Sequence, residues 1–320
     1  MRNLRASVVK GKPFMTTYTQ RFYRDEADYA AMRRLIAESY PLVAPHSTML
    51  LGDLDWWRAL KPDAVTFLPT VPLWFVGETL VGFLWPGEGS ADAMLHPHHR
   101  AAEELMLAWA EQHLRHPAAE GQGDALMQVS LESDTARNEL LQQHGFVRSN
   151  DFLASHVLEL DGIPTAPTLP PGFALGDMMG DGGWDARVEA HRAAFAPSKL
   201  TLDKYRRARQ SPTYRPDLDL VVVAPNGDLA AFCILWLEEE NRVALFEPVG
   251  CHPAYQRRGL GRAILYEGLR RLRQFGVVRC HVGSWLDDSP GAHLYRAAGF
   301  RLIDRFYEWH KSYPPGEDAG

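Results

Sequence analysis

Gln256-Arg257-Arg258-Gly259-Leu260-Gly261-Arg262 stands between an apolar run, Val243 to Cys251, and a stretch whose Leu260, Ile264, Leu265, Leu269 and Leu272 recur at helical spacing. The first turn of a helix leaves backbone N–H groups without partners, and its dipole offers partial positive charge to an anion. Gly259 and Gly261 spare that turn a Cβ, so a ligand's phosphates can approach the backbone. Arg257, Arg258 and Arg262 would oppose the dipole unless an anion joined them. A diphosphate-bearing ligand answers both features. The two rival phosphate motifs fail on spacing: Ile264 stands where a dinucleotide fingerprint needs its third glycine, and no G-x-x-x-x-G-K-[ST] run is present.

Working outward, the chain repeats itself. His96-Pro97 precedes one long amphipathic stretch and His252-Pro253 another, 156 residues on. His144-Gly145-Phe146 and Ala298-Gly299-Phe300 each close a shorter helix, 154 residues apart. Two landmarks at nearly one offset indicate a duplicated domain. Each copy reads as an initial helical stretch (Glu26 to Glu38; Trp184 to Phe195 with Leu202 to Gln210), then strands, a long helix, a strand, a short helix and a last strand. The strands are expected at Leu73 to Gly77, Thr79 to Trp85 and Ala91 to Leu95, and at Leu218 to Ala224, Ala230 to Leu237 and Val243 to Cys251. Pro225-Asn226-Gly227-Asp228 is a hairpin signal, since Asn and Gly accept positive φ. The fold class is α/β, or α+β with a mixed sheet: two tandem domains, each a mostly antiparallel sheet flanked by helices.

The boundaries follow from composition. Residues 161–172 hold Pro164, Pro167, Pro170 and Pro171, a density that suits only a stiff surface linker. We expect a disordered extension at 1–14, a first domain at 15–160, a second at 173–312 and a disordered tail at 313–320. A net charge of −6 disfavours nucleic acid as a partner, because phosphate neutralisation needs a basic face. No apolar run approaches 18 residues, so no membrane span is expected. The three cysteines, Cys233, Cys251 and Cys280, form no CxxC pair and read as reduced thiols of a cytoplasmic protein. His96, His98, His99 and His113 match no common zinc spacing, so no metal is expected.

These motifs reach a known family. Gln256-Arg257-Arg258-Gly259-Leu260-Gly261 resembles the Q/R-x-x-G-x-G/A signature of the GNAT superfamily of acyl-CoA N-acyltransferases. Leu294-Tyr295-Arg296-Ala297-Ala298-Gly299-Phe300 resembles its L-Y-x-x-x-G-F helix-to-strand corner. The resemblance covers nearly all of the second half, and the whole chain is similar in layout to tandem-domain members with a degenerate first copy. It implies acetyl-CoA as acyl donor and direct transfer to the primary amine of a small molecule, in a monomer or homodimer. The pyrophosphate would lie on the backbone of Gln256, Arg257, Arg258, Gly259, Leu260, Gly261 and Arg262, and the pantetheine along Val249, Gly250 and Cys251 as an added strand. Tyr295 takes the place of the family's acid.

Glu247 is the candidate base. A lone carboxylate inside an apolar strand tends to have a raised pKa, which suits proton abstraction. Relatives often place the base two residues earlier, where Leu245 stands, and Leu245 and Glu247 share a face unless a bulge intervenes. A structural carboxylate is the alternative. Relatives also carry Asn seven residues before the tyrosine, and here Asp288 replaces it. In the first copy the glycines are lost and Glu103 and Glu104 occupy the helix start, where they would repel a pyrophosphate. One bound CoA per chain is therefore expected. The acceptor side is expected in residues 195–219, with Trp236, Glu238, Glu239 and Glu240 as candidates, although a solvated hairpin tip is the stronger reading for Glu238 to Asn241; Trp285, Asp287 and Trp309 are ambiguous. Two other functions stay open at this point, a non-catalytic acyl-CoA sensor and a protein-lysine acetyltransferase.

Overall fold

The computed structural model describes residues 5–8, 16–61, 64–117, 123–162, 166–180 and 182–314. In chain order the first half forms β1 (Arg5–Val8), β2 (Thr17–Phe22), α1 (Glu26–Val43), α2 (Leu51–Leu60), α3 (Ala64–Phe67), β3 (Pro72–Val76), β4 (Thr79–Pro86), β5 (Ser90–Leu95), α4 (Glu103–His113), β6 (His116–Pro117), β7 (Asp124–Leu131), α5 (Thr135–Gln143) and β8 (Val147–Glu159). The second half forms β9 (Ala174–Asp177), α6 (Trp184–Ala194), α7 (Leu202–Ala208), β10 (Asp219–Val223), β11 (Leu229–Glu238), β12 (Val243–Cys251), α8 (Leu260–Gln274), β13 (Arg279–Trp285), α9 (Pro290–Ala297) and β14 (Arg301–Tyr313). Of the expected disordered extension, residues 5–8 pair antiparallel with β2, and the remainder lies outside the described residues. Of the expected tail, Tyr313 ends β14, while residues 315–320 lie outside the described ones.

The chain divides into two compact units, and the division is not the cut at the proline-rich stretch. One unit comprises residues 1–49, 63–153 and 304–320; the other comprises 50–62 and 154–303. The second unit thus takes α2 and the end of β8 from the first half of the sequence, and the first unit takes the end of the chain. Its strand order is β1-β2-β3-β4-β5-β7-β14, with Phe306 to Tyr313 antiparallel to Leu131 to Asp124. The order in the second unit is β8-β13-β12-β11-β10-β9. Each sheet is therefore completed by the last strand of the other half. Each sheet holds a parallel contact, β5 with β7 and β12 with β13, beside antiparallel hairpins, so each is mixed.

In the second unit the stripe of α8, with Leu260, Ile264, Leu265, Leu269 and Leu272, is buried on one face of the sheet against Leu235, Phe246 and Val282. Burying each such side chain contributes about 1.5–3 kcal/mol. The opposite face carries α6, whose Ala190 packs with Val221 and Phe232. In the first unit Trp74, Val81, Leu84, Met106 and Trp309 belong to one core. Trp309, left ambiguous by the sequence, is a core residue there, 3% exposed. Among the described residues no helix is long and apolar enough to cross a membrane.

Candidate active site

The site is built on β12 and the turn that follows it. β12 runs antiparallel to β11, but Phe246 opposes Leu235 and Val249 opposes Cys233, so Glu247 and Pro248 together face only Ile234. That is a β-bulge, and it re-aims the side chain at its centre. The bulge therefore breaks the strict alternation that would put Leu245 and Glu247 on one face. Beyond the bulge β12 keeps its β11 partner, Val249 to Cys251 against Cys233 to Ala231. Its parallel ladder with β13, however, covers Val243 to Phe246 only. The strand thus leaves a backbone edge at Val249, Gly250 and Cys251 on the β13 side, the geometry an extended amide-bearing ligand needs.

The turn after β12 is built from the local chemistry of its residues. The His252 imidazole Nδ1 accepts from the Ala254 N–H at 3.2 Å and caps the short helical turn Pro253–Tyr255. The first half repeats the device, His96 Nδ1 accepting from His98 N–H at 3.2 Å. Arg257 (φ 63°) and Gly259 (φ 80°) are both left-handed, so the chain turns sharply on either side of Arg258. Such alternation turns successive backbone N–H groups toward one concave side. Gly259 caps α8 without any side-chain hydrogen bond, and a Cβ there would meet no protein atom within 4 Å. Gln256, Arg257, Arg258 and Arg262 are exposed around it. Gly261 serves packing as well: a Cβ would stand 3.0 Å from Leu294, where α8 meets α9. Leu260 contributes only its backbone, its side chain being 1% exposed in the core.

The equivalent turn in the first unit is closed by its own side chains. At the offset of 156 residues Glu103 stands where Gly259 stands. Glu103 receives the Arg137 guanidinium at 2.7 Å and Arg100 at 3.1 Å, and Arg100 also grips Asp134 at 2.7 Å. Arg137 in turn reaches the Gln128 carbonyl oxygen at 3.1 Å and the Val129 backbone carbonyl at 3.0 Å. A carboxylate thus occupies the helix start, paired with two arginines, where it would repel a phosphate.

Glu247 lies in the bulge, and Tyr295 on α9 is near enough to feel its charge. Glu247 is half-buried, and its carboxyl is pushed up to about 8, chiefly by desolvation, with the negative charge of Asp53 adding to it. Tyr295 on α9 is 6% exposed; burial raises its phenol, and the charge of Glu247 raises it further. The two groups are therefore a carboxyl that becomes able to take a proton as pH rises through about 8 and a phenol that keeps its own. The Trp236 indole donates to the Glu247 backbone carbonyl at 2.5 Å and holds the bulge in place. Trp236 is 1% exposed and so belongs to the core rather than to an acceptor surface. Glu238 is buried in β11 and bonds to the Asn241 amide, while Glu239 and Glu240 are exposed at the hairpin tip. Asp288 is exposed on the loop before α9, and Trp285 is largely exposed.

Helix α2 was not anticipated here, because nothing in its sequence states which sheet it joins. It packs on β11, β12 and α7. Gly52 makes the close approach possible, since a Cβ would fall 2.4 Å from the Trp236 Cβ. Asp55, fully buried, accepts the Thr213 N–H at 3.1 Å and the Thr213 hydroxyl. Arg207 donates to the Ala59 carbonyl at 3.2 Å and the Lys61 carbonyl at 2.7 Å, satisfying the end of the helix. So fixed, α2 holds Asp53 where its charge acts on Glu247. Of the expected acceptor segment, Thr213 anchors α2, and Tyr205 and Tyr214 both donate to the buried Asp219, which also holds Arg187. That part of the segment is scaffold. The thiols of Cys233, Cys251 and Cys280 are all pushed up by burial, which makes poor nucleophiles of them. Among the described residues no group of three or more His, Cys, Asp or Glu is placed to hold a metal ion.

A mixed sheet split beside a bulge, followed by an uncapped glycine turn, is the frame of an acyltransferase. Residues 184–300 match the Acetyltransferase (GNAT) family, and the chain belongs to it. The mycothiol acetyltransferase of Sanguibacter keddieii is 30% identical over 304 residues, covering 86% of this chain and 90% of its own. That of Kineococcus radiotolerans is 30% identical over 199 residues, and the match spans 56% of this chain and 64% of the relative. Two solved structures share the fold: a GCN5-related N-acetyltransferase from Sphaerobacter thermophilus (TM-score 0.65, 22% identity, 94% of this chain and 97% of the other) and a tandem GNAT protein from the clavulanic acid biosynthesis pathway (TM-score 0.66, 18% identity, 94% and 99%).

Proposed function

We propose that this chain transfers an acetyl group from acetyl-CoA to the primary amine of a small molecule by direct attack. The observation that carries the proposal is Glu247, a carboxyl at about 8 held in a bulge beside a protonated Tyr295 and next to the open edge of β12. The relatives' name, mycothiol acetyltransferase, supports a small molecule on the acceptor side. The thioester supplies an activated carbonyl; the remaining work falls to this chain. Backbone N–H groups around Arg257 to Gly261 hold the pyrophosphate, and Val249 to Cys251 hold the pantetheine. Glu247 removes one proton from the ammonium. The free amine attacks, the C–S bond breaks, and Tyr295 gives its phenolic proton to the departing sulfur. The second proton on nitrogen returns to the tyrosine oxygen, Glu247 loses its own to solvent, and both groups are restored.

The test is release of free thiol from acetyl-CoA across a panel of small amines. Turnover with at least one of them is expected; measurable CoA binding without turnover on any would overturn the proposal. A second expectation concerns Asp53. Its charge helps to raise Glu247, and the base must be ionised to act, so kcat/KM should climb as pH rises through about 8. Asp53→Asn removes that charge and should move the climb to lower pH. A pH profile unchanged by the substitution would show that Asp53 does not act on the base.

A further inference from the structure

His156 lies on β8, in the part of that strand that belongs to the second unit, and it is fully buried. Neither ring nitrogen completes a hydrogen bond, although the Ala154 backbone lies near enough to favour the protonated form slightly. Burial, the larger effect, lowers its pKa and so favours the neutral imidazole. An unsatisfied polar atom in a core costs about 1–3 kcal/mol, and a hydrocarbon ring of similar shape would avoid that cost. The imidazole instead stands edge to face with Tyr295, ring centroids 6.0 Å apart at 60°. Tyr295 also touches Phe300, which offers no donor.

When Tyr295 gives its proton to sulfur it becomes a phenolate in a desolvated place, close enough to Glu247 for charge to be felt. A phenolate there needs a hydrogen-bond donor. We propose that His156 is a positioning residue for Tyr295: its otherwise unpartnered ring N–H supports the phenolate while the acid is discharged. No net proton leaves His156. The tyrosine oxygen recovers its proton from the acetylated nitrogen, and the imidazole ends neutral as it began. The inference rests on the amine-acetylation reading, and it gives the first half of the chain a part in that chemistry through the strand it lends.

The experiment compares His156→Phe, His156→Asn and Tyr295→Phe, alone and with the first combined with the last, in the full chain. His156→Phe keeps an aromatic ring against Tyr295 but removes the donor. We expect kcat to fall by about tenfold to a hundredfold, the worth of a hydrogen bond to a charged group, with KM for acetyl-CoA unchanged. Its Tm should hold or rise, because two unpaired nitrogens leave the core. His156→Asn should recover part of the loss. In the Tyr295→Phe background His156→Phe should cost nothing further. Wild-type kcat in His156→Phe, an equal loss in both backgrounds, or a loss that follows Tm would each overturn the inference while leaving amine acetylation standing. Absence of any amine turnover by the wild-type chain would overturn both.

Discussion

Glu247→Gln is expected to lower kcat/KM by about 10²–10⁴, the usual contribution of a general base, while making the protein more stable in alkali. The two effects share one cause. Desolvation and the charge of Asp53 disfavour the ionised carboxyl, so its pKa in the folded chain, about 8, lies above the ordinary value of 4.5. A group raised on folding contributes its stability below the ordinary value and loses it as pH rises through the folded one. At pH 5 wild type and Gln variant should therefore melt together. At pH 9 the wild type must hold an ionised carboxylate in a poorly hydrated bulge, and the variant need not. The side chain is half-buried, so water screens part of the penalty, and a gain of about 1–2 kcal/mol is reasonable. In a unit of this size that is roughly 2–8 °C in Tm. Melting curves at the two pH values, set beside rates, separate this from a structural role. A structural carboxylate would lose stability when replaced, at every pH, and would leave kcat/KM nearly intact.

The parts of this molecule that sequence reading reached are those whose chemistry is local. β12 spans Val243–Cys251, as its apolar run with Gly250 near the end suggests. The stripe of α8, the left-handed Gly299 at φ 98° closing α9 and the Asn226-Gly227 turn at φ 91° all follow from residues within a few positions of one another. The bulge was half legible. Glu247-Pro248 marks a break in alternation, but only the register against Cys233 and Leu235 shows that two residues there face one. What stayed hidden is long-range. No local feature of residues 51–60 says which sheet they join, or that Gly52 will lie against Trp236, 184 residues away. The exchange of β8 and β14 is invisible for a similar reason. Both alternate like any last strand, and which sheet accepts them depends on the edge each sheet leaves free. His156 gives no local signal, because a histidine on an alternating strand looks like any other until its partner on α9 is known.

Gly259→Glu is expected to abolish CoA binding, a loss of at least about a hundredfold in affinity, in a chain that remains folded. The molecule already contains the precedent. Glu103 holds the corresponding place in the first unit and is gripped there by Arg137 and Arg100. In the second unit His293 occupies the position of Arg137 at the same offset, so Arg257, Arg258 and Arg262 are left to meet the new carboxylate. They would pair with it in place of a pyrophosphate, and the helix dipole would be satisfied from within. The backbone adds a smaller effect. Gly259 sits at φ 80°, a conformation that costs an ordinary residue about 1–2 kcal/mol. Gly259→Ala carries that strain without the charge, and Gly259→Asn tolerates the conformation better. Calorimetric titration of the three variants should rank them Asn, Ala, Glu in falling affinity, with only Glu silent, while their melting points differ by a few degrees at most. The wild type should bind one CoA per chain, so silence in Gly259→Glu also tests the first unit. Residual binding at half the wild-type stoichiometry, from a wild type that took up two, would mean that the turn at Glu103 opens to a ligand despite its ion pairs.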